Sequence, residues 1–204
     1  MDITELLKPK TTVWDNYLPI ISDKNNTIAY LTDSIEAPSE YNELCFKLKT
    51  ASPAEVFTLV LNTPGGYIDS AMMLVDAIKS SKAKVIAEIS GTVASAGTVI
   101  TLACDEVKVA PHTAFMIHNY SGSVVGKGHE MKAHQEFIDK NLNISFKQFY
   151  NGFLTEKEMD QVIDGRDMWM NKEEVEARIA GTWWSGDDEE APKKSKRGRP
   201  KKIL

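Results

Sequence analysis

The chain carries little that could staple or anchor it. Its 204 residues include only two cysteines, Cys45 and Cys104, each inside an apolar stretch and in no metal or redox spacing. That excludes a disulfide framework and predicts two small buried residues in a reducing compartment. No apolar run approaches the roughly 18 residues of a membrane span. The opening Met-Asp-Ile-Thr-Glu-Leu-Leu-Lys is too polar for the apolar stretch of a signal peptide. A cytoplasmic protein without membrane contact is therefore expected. The Gly-x-x-x-x-Gly-Lys-Ser/Thr loop of nucleotide-binding proteins is missing, so the chain itself is not expected to use ATP. Gly-x-Ser-x-Gly is missing too, because Val93 stands where its first glycine would precede Ser95.

What remains is ordinary for a globular domain: 42% hydrophobic residues, 26% charged residues and a net charge of −5. The charge is uneven. Asp187-Asp188-Glu189-Glu190 is followed by seven lysines and arginines between Lys193 and Lys202. With almost no apolar residues, the segment 185–204 cannot bury a core and is expected to be disordered. Residues 1–26 are mixed and polar, with the Asn25-Asn26 turn signal at their end, and read as an arm or a short edge element. The expected division is an arm at 1–26, one domain at 27–184 and a tail at 185–204.

Inside the domain, short branched apolar runs (Ile28–Leu31, Val56–Leu61, Val85–Ile89) alternate with stretches of helical periodicity (Pro38–Lys49, Ile68–Ile78). This predicts an α/β fold of βαβ units around a parallel sheet. Two more apolar runs follow, Val107–Ala110 and Ala114–Ile117. A long amphipathic helix is predicted at His129–Phe153, with Met131, Ile138, Leu142, Phe146, Phe149 and Phe153 on one stripe. Such a helix either lines the core or projects to pack on another subunit.

Four stretches suit acyl-transfer chemistry. Asn62-Thr63-Pro64-Gly65-Gly66 ends the strongest strand, where paired glycines bring backbone amides close to a ligand. Gly91-Thr92-Val93-Ala94-Ser95-Ala96-Gly97 opens an apolar helix, which leaves the Ser95 hydroxyl accessible and the next amide free to hold an oxyanion. A helix-capping serine would fit the same position. His118 closes the strand Phe115-Met116-Ile117, where a structural histidine is the common alternative. Asp167 runs into Met168-Trp169-Met170, a placement suited to a half-buried carboxylate orienting an imidazole. Asp164 and Asp160 compete for that role. The order Ser95, His118, Asp167 has steps of 23 and 49 residues, unlike the familiar triad orders.

Taken together, Asn-Thr-Pro-Gly-Gly, Gly-x-x-Ala-Ser-x-Gly, Phe-Met-Ile-His, the glycine-containing loop, the long helix and Gly-Arg-Asp resemble the proteolytic subunit of the Clp protease, ClpP. The similarity covers residues 28–182. It implies a ClpP/crotonase-like spiral of βαβ units in which His129–Phe153 is a projecting handle helix. It implies Ser95 as nucleophile, His118 as base, Asp167 as the orienting acid, and the amides of Gly66 and Ala96 as the oxyanion hole. Gly65 and Asn119 fall where such a site meets its substrate. The implied activity is serine endopeptidase action on polypeptides with no metal or organic cofactor. The implied assembly is a homo-oligomer of about seven subunits per ring, with rings able to stack. An AAA+ unfoldase is the partner such an assembly takes.

The chain departs from the family at Ala96, where methionine is usual, and at His118-Asn119-Tyr120, where His-Gln-Pro is usual. These differences and the charged tail resemble a phage-encoded relative of the head-maturation type, in host cytoplasm or a virion precursor. Arg197-Gly198-Arg199-Pro200 is similar to an AT-hook core and implies weak minor-groove contact with DNA. A crotonase-type acyl-thioester enzyme and a non-catalytic assembly or DNA-binding component of a phage particle are the alternatives.

Overall fold

The structure is a computed structural model that describes residues 18–181. The arm before residue 18 and the charged tail, with its Arg197–Pro200 motif, lie outside the described residues. Seven strands share one sheet, ordered β1 (Ile20–Asp23), β2 (Asn26–Leu31), β3 (Val56–Thr63), β4 (Lys84–Ala94), β6 (Ala114–Ile117) and β7 (Met168–Met170), with β5 (Glu106–Val109) also paired to β4.

The central strands β2, β3 and β4 are parallel. Their alternation is plain in β3, where Phe57, Leu59, Leu61 and Thr63 are buried and the residues between them are more exposed. The two outer pairings are antiparallel, β1 with β2 and β6 with β7. β1 falls within the segment expected as an arm or a short edge element. β1 already belongs to the sheet, and Leu18 ahead of it is buried in the core. The Lys24-Asn25 turn closes this hairpin, with Lys24 at φ 50°.

β4 is the strand that shapes the site. Its first half pairs with β5, from Ile86↔Glu106 to Ile89↔Val109, and its second half pairs with β6, from Thr92↔Ala114 to Ala94↔Met116. The change of partner falls at Gly91, which has φ 63°. A Cβ there would lie 2.8 Å from Asn62 Oδ1. That same oxygen accepts the Thr92 N–H at 3.1 Å, and the β3–β4 register shifts between Leu61 and Thr63. At the opposite end two exposed ion pairs cross from β4 to β5, Lys84–Glu106 at 2.5 Å and Glu88–Lys108 at 2.8 Å.

α1 (Asn42–Thr50), α2 (Ile68–Ser80) and α3 (Ala96–Ala103) pack in sequence beside one another. α3 is apolar and buried over most of its surface, as expected of a core helix. Cys45 and Cys104 are buried, unpaired thiols, and burial pushes both of their pKa values up.

α4 spans Gly128–Tyr150, and of its 23 residues only Tyr150 is buried. The helix meets the core only at its C-terminal end, through Phe146, Phe149 and Tyr150. Phe137 and Ile144 are exposed on it. Phe153, expected as the last residue of the stripe, lies past the helix end and packs against Phe115 with ring centroids 5.7 Å apart. α5 (Glu156–Ile163) and α6 (Lys172–Ala180) both begin with capping boxes, Thr155 with Glu158 and Asn171 with Glu174. Arg178 of α6 pairs with Glu158 of α5 at 2.8 Å, with both side chains mostly buried. No helix among the described residues is long and apolar enough to cross a membrane.

Candidate functional site

The turn after β3 cannot be built without glycine. Gly65 has φ 97° and Gly66 has φ 152°. A Cβ on Gly66 would lie 2.1 Å from the Ile35 carbonyl oxygen. The close approach is a single parallel bridge, in which the Ile35 N–H donates to Gly65 O and the Tyr67 N–H donates to Ile35 O, each at 2.8 Å. Ile35 thus engages the groups on either side of Gly66. The Gly66 N–H itself has no acceptor among the described residues.

Ser95 ends the bent half of β4 and starts α3 with φ 54° and ψ −124°. A non-glycine residue in such a conformation costs about 1–3 kcal/mol and persists only where its surroundings hold it. Three bonds do so. The Ser95 N–H donates to Met116 O at 2.9 Å, and Thr98 donates to Ser95 O through its N–H at 2.9 Å and its Oγ1 at 2.7 Å. The Thr98 hydroxyl in turn meets the buried Tyr150 hydroxyl at 2.6 Å. Burial pushes the pKa of Tyr150 well up, so the phenol stays neutral.

Ser95 occupies the cap position, yet its side chain makes no capping bond. The helix-capping alternative therefore fails. Ala96, the first residue of α3, leaves its N–H without an acceptor among the described residues, at the positive end of the helix dipole.

Ser95, Ala96, Gly66 and His118 line one cleft of about 570 Å³. Of the four histidines only His118 is on its wall. The pairing of β6 with the bent half of β4 places His118, half-buried, two residues beyond the carbonyl that holds Ser95. Among the described residues the side chains of Ser95, His118 and Asp167 carry no hydrogen bond to protein. Asn119 is also on the cleft wall, and its Nδ2 donates to Ile163 O at 2.8 Å, tying this loop to the end of α5. Gly65 is placed differently from the expectation. It is buried directly beneath Ser95, and Gly66 forms the cleft surface at that point.

The acid is the second difference. β6 and β7 pair Ile117 with Met168, so the next position in the same register sets His118 opposite Asp167. Asp167 is exposed rather than half-buried, because β7 has only three residues and begins at Met168, one residue after it. Asp160 is occupied by Lys147 at 2.9 Å. Asp164 caps the end of α5 and is also exposed. Register alone favours Asp167. Among the described residues no group of three or more His, Cys, Asp or Glu side chains could hold a metal ion.

Several cleft residues were not foreseen. Leu142, Phe146 and Phe149, taken from sequence as a packing stripe of α4, form an apolar wall of the cleft, with Tyr150 at its base. Tyr120, two residues after His118, donates its hydroxyl to Asp139 of α4, and Gln135 Nε2 donates to Asp139 Oδ1 at 2.8 Å. The bond to Asp139 raises the pKa of the Tyr120 phenol. The clue was present in the stripe, since residues at the end of a half-wet helix must cover something. The Thr98–Tyr150 contact joins residues 52 apart and had no local signal.

The family model for Clp protease matches residues 24–178. Subunit 2 of the ATP-dependent Clp protease proteolytic component of Pseudomonas aeruginosa is 32% identical over 119 residues, which span 57% of this chain and 59% of that protein. The match thus covers less than two thirds of that relative. The corresponding subunit 1 of Chlamydia caviae is 27% identical over 147 residues, 69% of this chain and 77% of the relative. Among solved structures, a ClpP1 mutant from Listeria monocytogenes superposes with a TM-score of 0.61 at 21% identity, covering 74% of this chain and 86% of that one. At that identity the likeness concerns the fold.

Proposed function

The chain belongs to the Clp protease family, and on that basis we propose that it is a cytoplasmic serine endopeptidase that cleaves polypeptides through an acyl-enzyme inside a homo-oligomeric compartment. One observation carries the reading. Ser95 is held in a left-handed conformation on a cleft shared with His118, and among the described residues its hydroxyl is uncommitted and the two backbone amides lack acceptors.

In this reading His118 takes the Ser95 proton as Oγ attacks the peptide carbonyl carbon. The N–H groups of Gly66 and Ala96 receive the charge that develops on the carbonyl oxygen. His118 then protonates the leaving amine as the C–N bond breaks. Water, deprotonated by His118, releases the acid from the Ser95 ester. Asp167 fixes the imidazole tautomer, and ATP is spent by an AAA+ unfoldase partner. A fluorophosphonate probe tests the core of this proposal. It should label the protein at Ser95 and nowhere in Ser95→Ala, whereas a wild type that takes up no probe overturns it.

The acid can be tested separately. Asp167→Asn should lower kcat at least about tenfold, and Asp164→Asn less than about twofold. The reverse ranking in peptide assays would transfer the role to Asp164.

Assembly supplies what the lone subunit lacks. α4 leaves Phe137 and Ile144 in water, and Asp167 is exposed beside His118. Light scattering should give a mass several times the 22.7 kDa of the chain, about 160 kDa for one seven-membered ring. A fully active 22.7 kDa monomer at micromolar concentration would remove the compartment and leave the cleavage chemistry in place.

A further inference from the structure

The cleft has one charged residue that the chemistry above does not use. Among the described residues Glu36 is the single Asp, Glu, Lys or Arg on the cleft wall, which is otherwise built from small, hydroxyl, amide and apolar groups together with His118. Its backbone is fixed at both ends. The Glu36 N–H donates to the hydroxyl of buried Tyr41 at 3.0 Å, and the hydroxyl of buried Ser70 donates to Glu36 O at 2.5 Å. The preceding residue, Ile35, is bridged to Gly66. The side chain therefore starts from a rigid position beside the two amides.

That side chain is half-buried, and among the described residues it has no cation and no hydrogen-bond donor. Nothing nearby in sequence offers one. Residues 32–46 contain Asp33, Glu36, Glu40 and Glu43 and no lysine or arginine, and the first base after them, Lys47, faces Glu43 at 3.8 Å. A carboxylate on the cleft wall with no partner of its own is free to pair with an incoming cation.

We infer that Glu36 is a specificity determinant that selects a lysine or arginine side chain of the bound polypeptide. The inference rests on the peptidase reading for the identity of the ligand, and its test is arranged so that the two fail separately. Ser95→Ala protein binds peptides without turning them over. Labelled peptides would each carry an apolar residue and differ only in having Lys, norleucine or Glu at one flanking position, and affinities would be read by anisotropy.

At one position Lys should bind roughly threefold or more tightly than norleucine, and the advantage should shrink as salt is raised. It should vanish in Ser95→Ala/Glu36→Gln and turn towards the Glu peptide in Ser95→Ala/Glu36→Lys, with melting temperatures verifying each fold. A Lys preference that survives Glu36→Gln overturns the inference, as does equal binding of all three peptides or no binding of any. Failure of the Ser95-containing protein to hydrolyse peptides would instead sink the peptidase reading, and the affinities would still be read on their own.

Discussion

Replacing Ser95 with alanine is expected to lower peptide hydrolysis by more than about 10³-fold while leaving the fold in place. The size follows from the chemistry. Without Oγ there is no acyl-enzyme, and what remains is the polarising effect of two amides on a bound carbonyl. The harmless effect on folding follows from the geometry. Ser95 Oγ makes no capping bond, so its removal leaves no polar group stranded. The bonds that hold the strained backbone use its N–H and carbonyl, which alanine keeps. Stopped assays with a fluorogenic peptide and a thermal melt decide the matter. Near-normal turnover by a pure Ser95→Ala sample would show that the strained serine is not the nucleophile.

The next largest effect is expected at Gly65, for a steric reason. A methyl group there would lie 2.5 Å from Ser95 Cβ, 2.8 Å from the Ala94 carbonyl oxygen and 3.1 Å from the Ala96 nitrogen. Two of these three atoms are backbone and cannot swing aside. The φ of 97° adds strain for any residue with a Cβ. The turn must shift, and it carries the Gly66 amide with it. Gly65→Ala should therefore fold poorly, and any folded fraction should be at least about 10²-fold less active. Gly122 provides the control, since nothing lies within 4 Å of a Cβ at that position. Gly122→Ala should change turnover and melting temperature little. A Gly65→Ala protein with wild-type values for both would mean that the turn is not packed beneath Ser95.

The sequence displayed the parallel strands because their apolar runs have no other use than burial on both faces, and β2, β3 and β4 lie where those runs are. It displayed the places of Ser95 and His118 at the ends of elements, and the structure sets both on one cleft. It did not display β7, because Met-Trp-Met is too short for any periodicity to register. It offered β1 only as an edge element somewhere in residues 1–26, because Ile20–Asp23 looks like polar chain until it is set against Asn26–Ala29. The apolar residues after Asp167 suggested burial of the acid, but β7 faces solvent through Trp169, which is 60% exposed. Hydrophobicity along the chain counts neighbours in sequence, whereas burial of Asp167 depends on what lies across β6. The α4 stripe misled in the same way. Its apolar residues were read as a surface for packing, and part of that surface is the wall of the cleft.

The register of β4 is set at its start, where Lys84 pairs with Val56 and Ile86 with Glu106, and Ser95 follows directly from the last residue of β4. The strand behaves as a ruler, with its zero set at Lys84 and its reading taken at Ser95. One residue inserted between Ile89 and Ser95 would advance the chain by about 3.3 Å and turn the serine to the opposite face of the sheet. Length is therefore a hard constraint on this segment, whatever its composition. The glycine-rich stretch at Ser121–Lys127, outside every strand and helix, can gain or lose a residue without moving Ser95 along its strand.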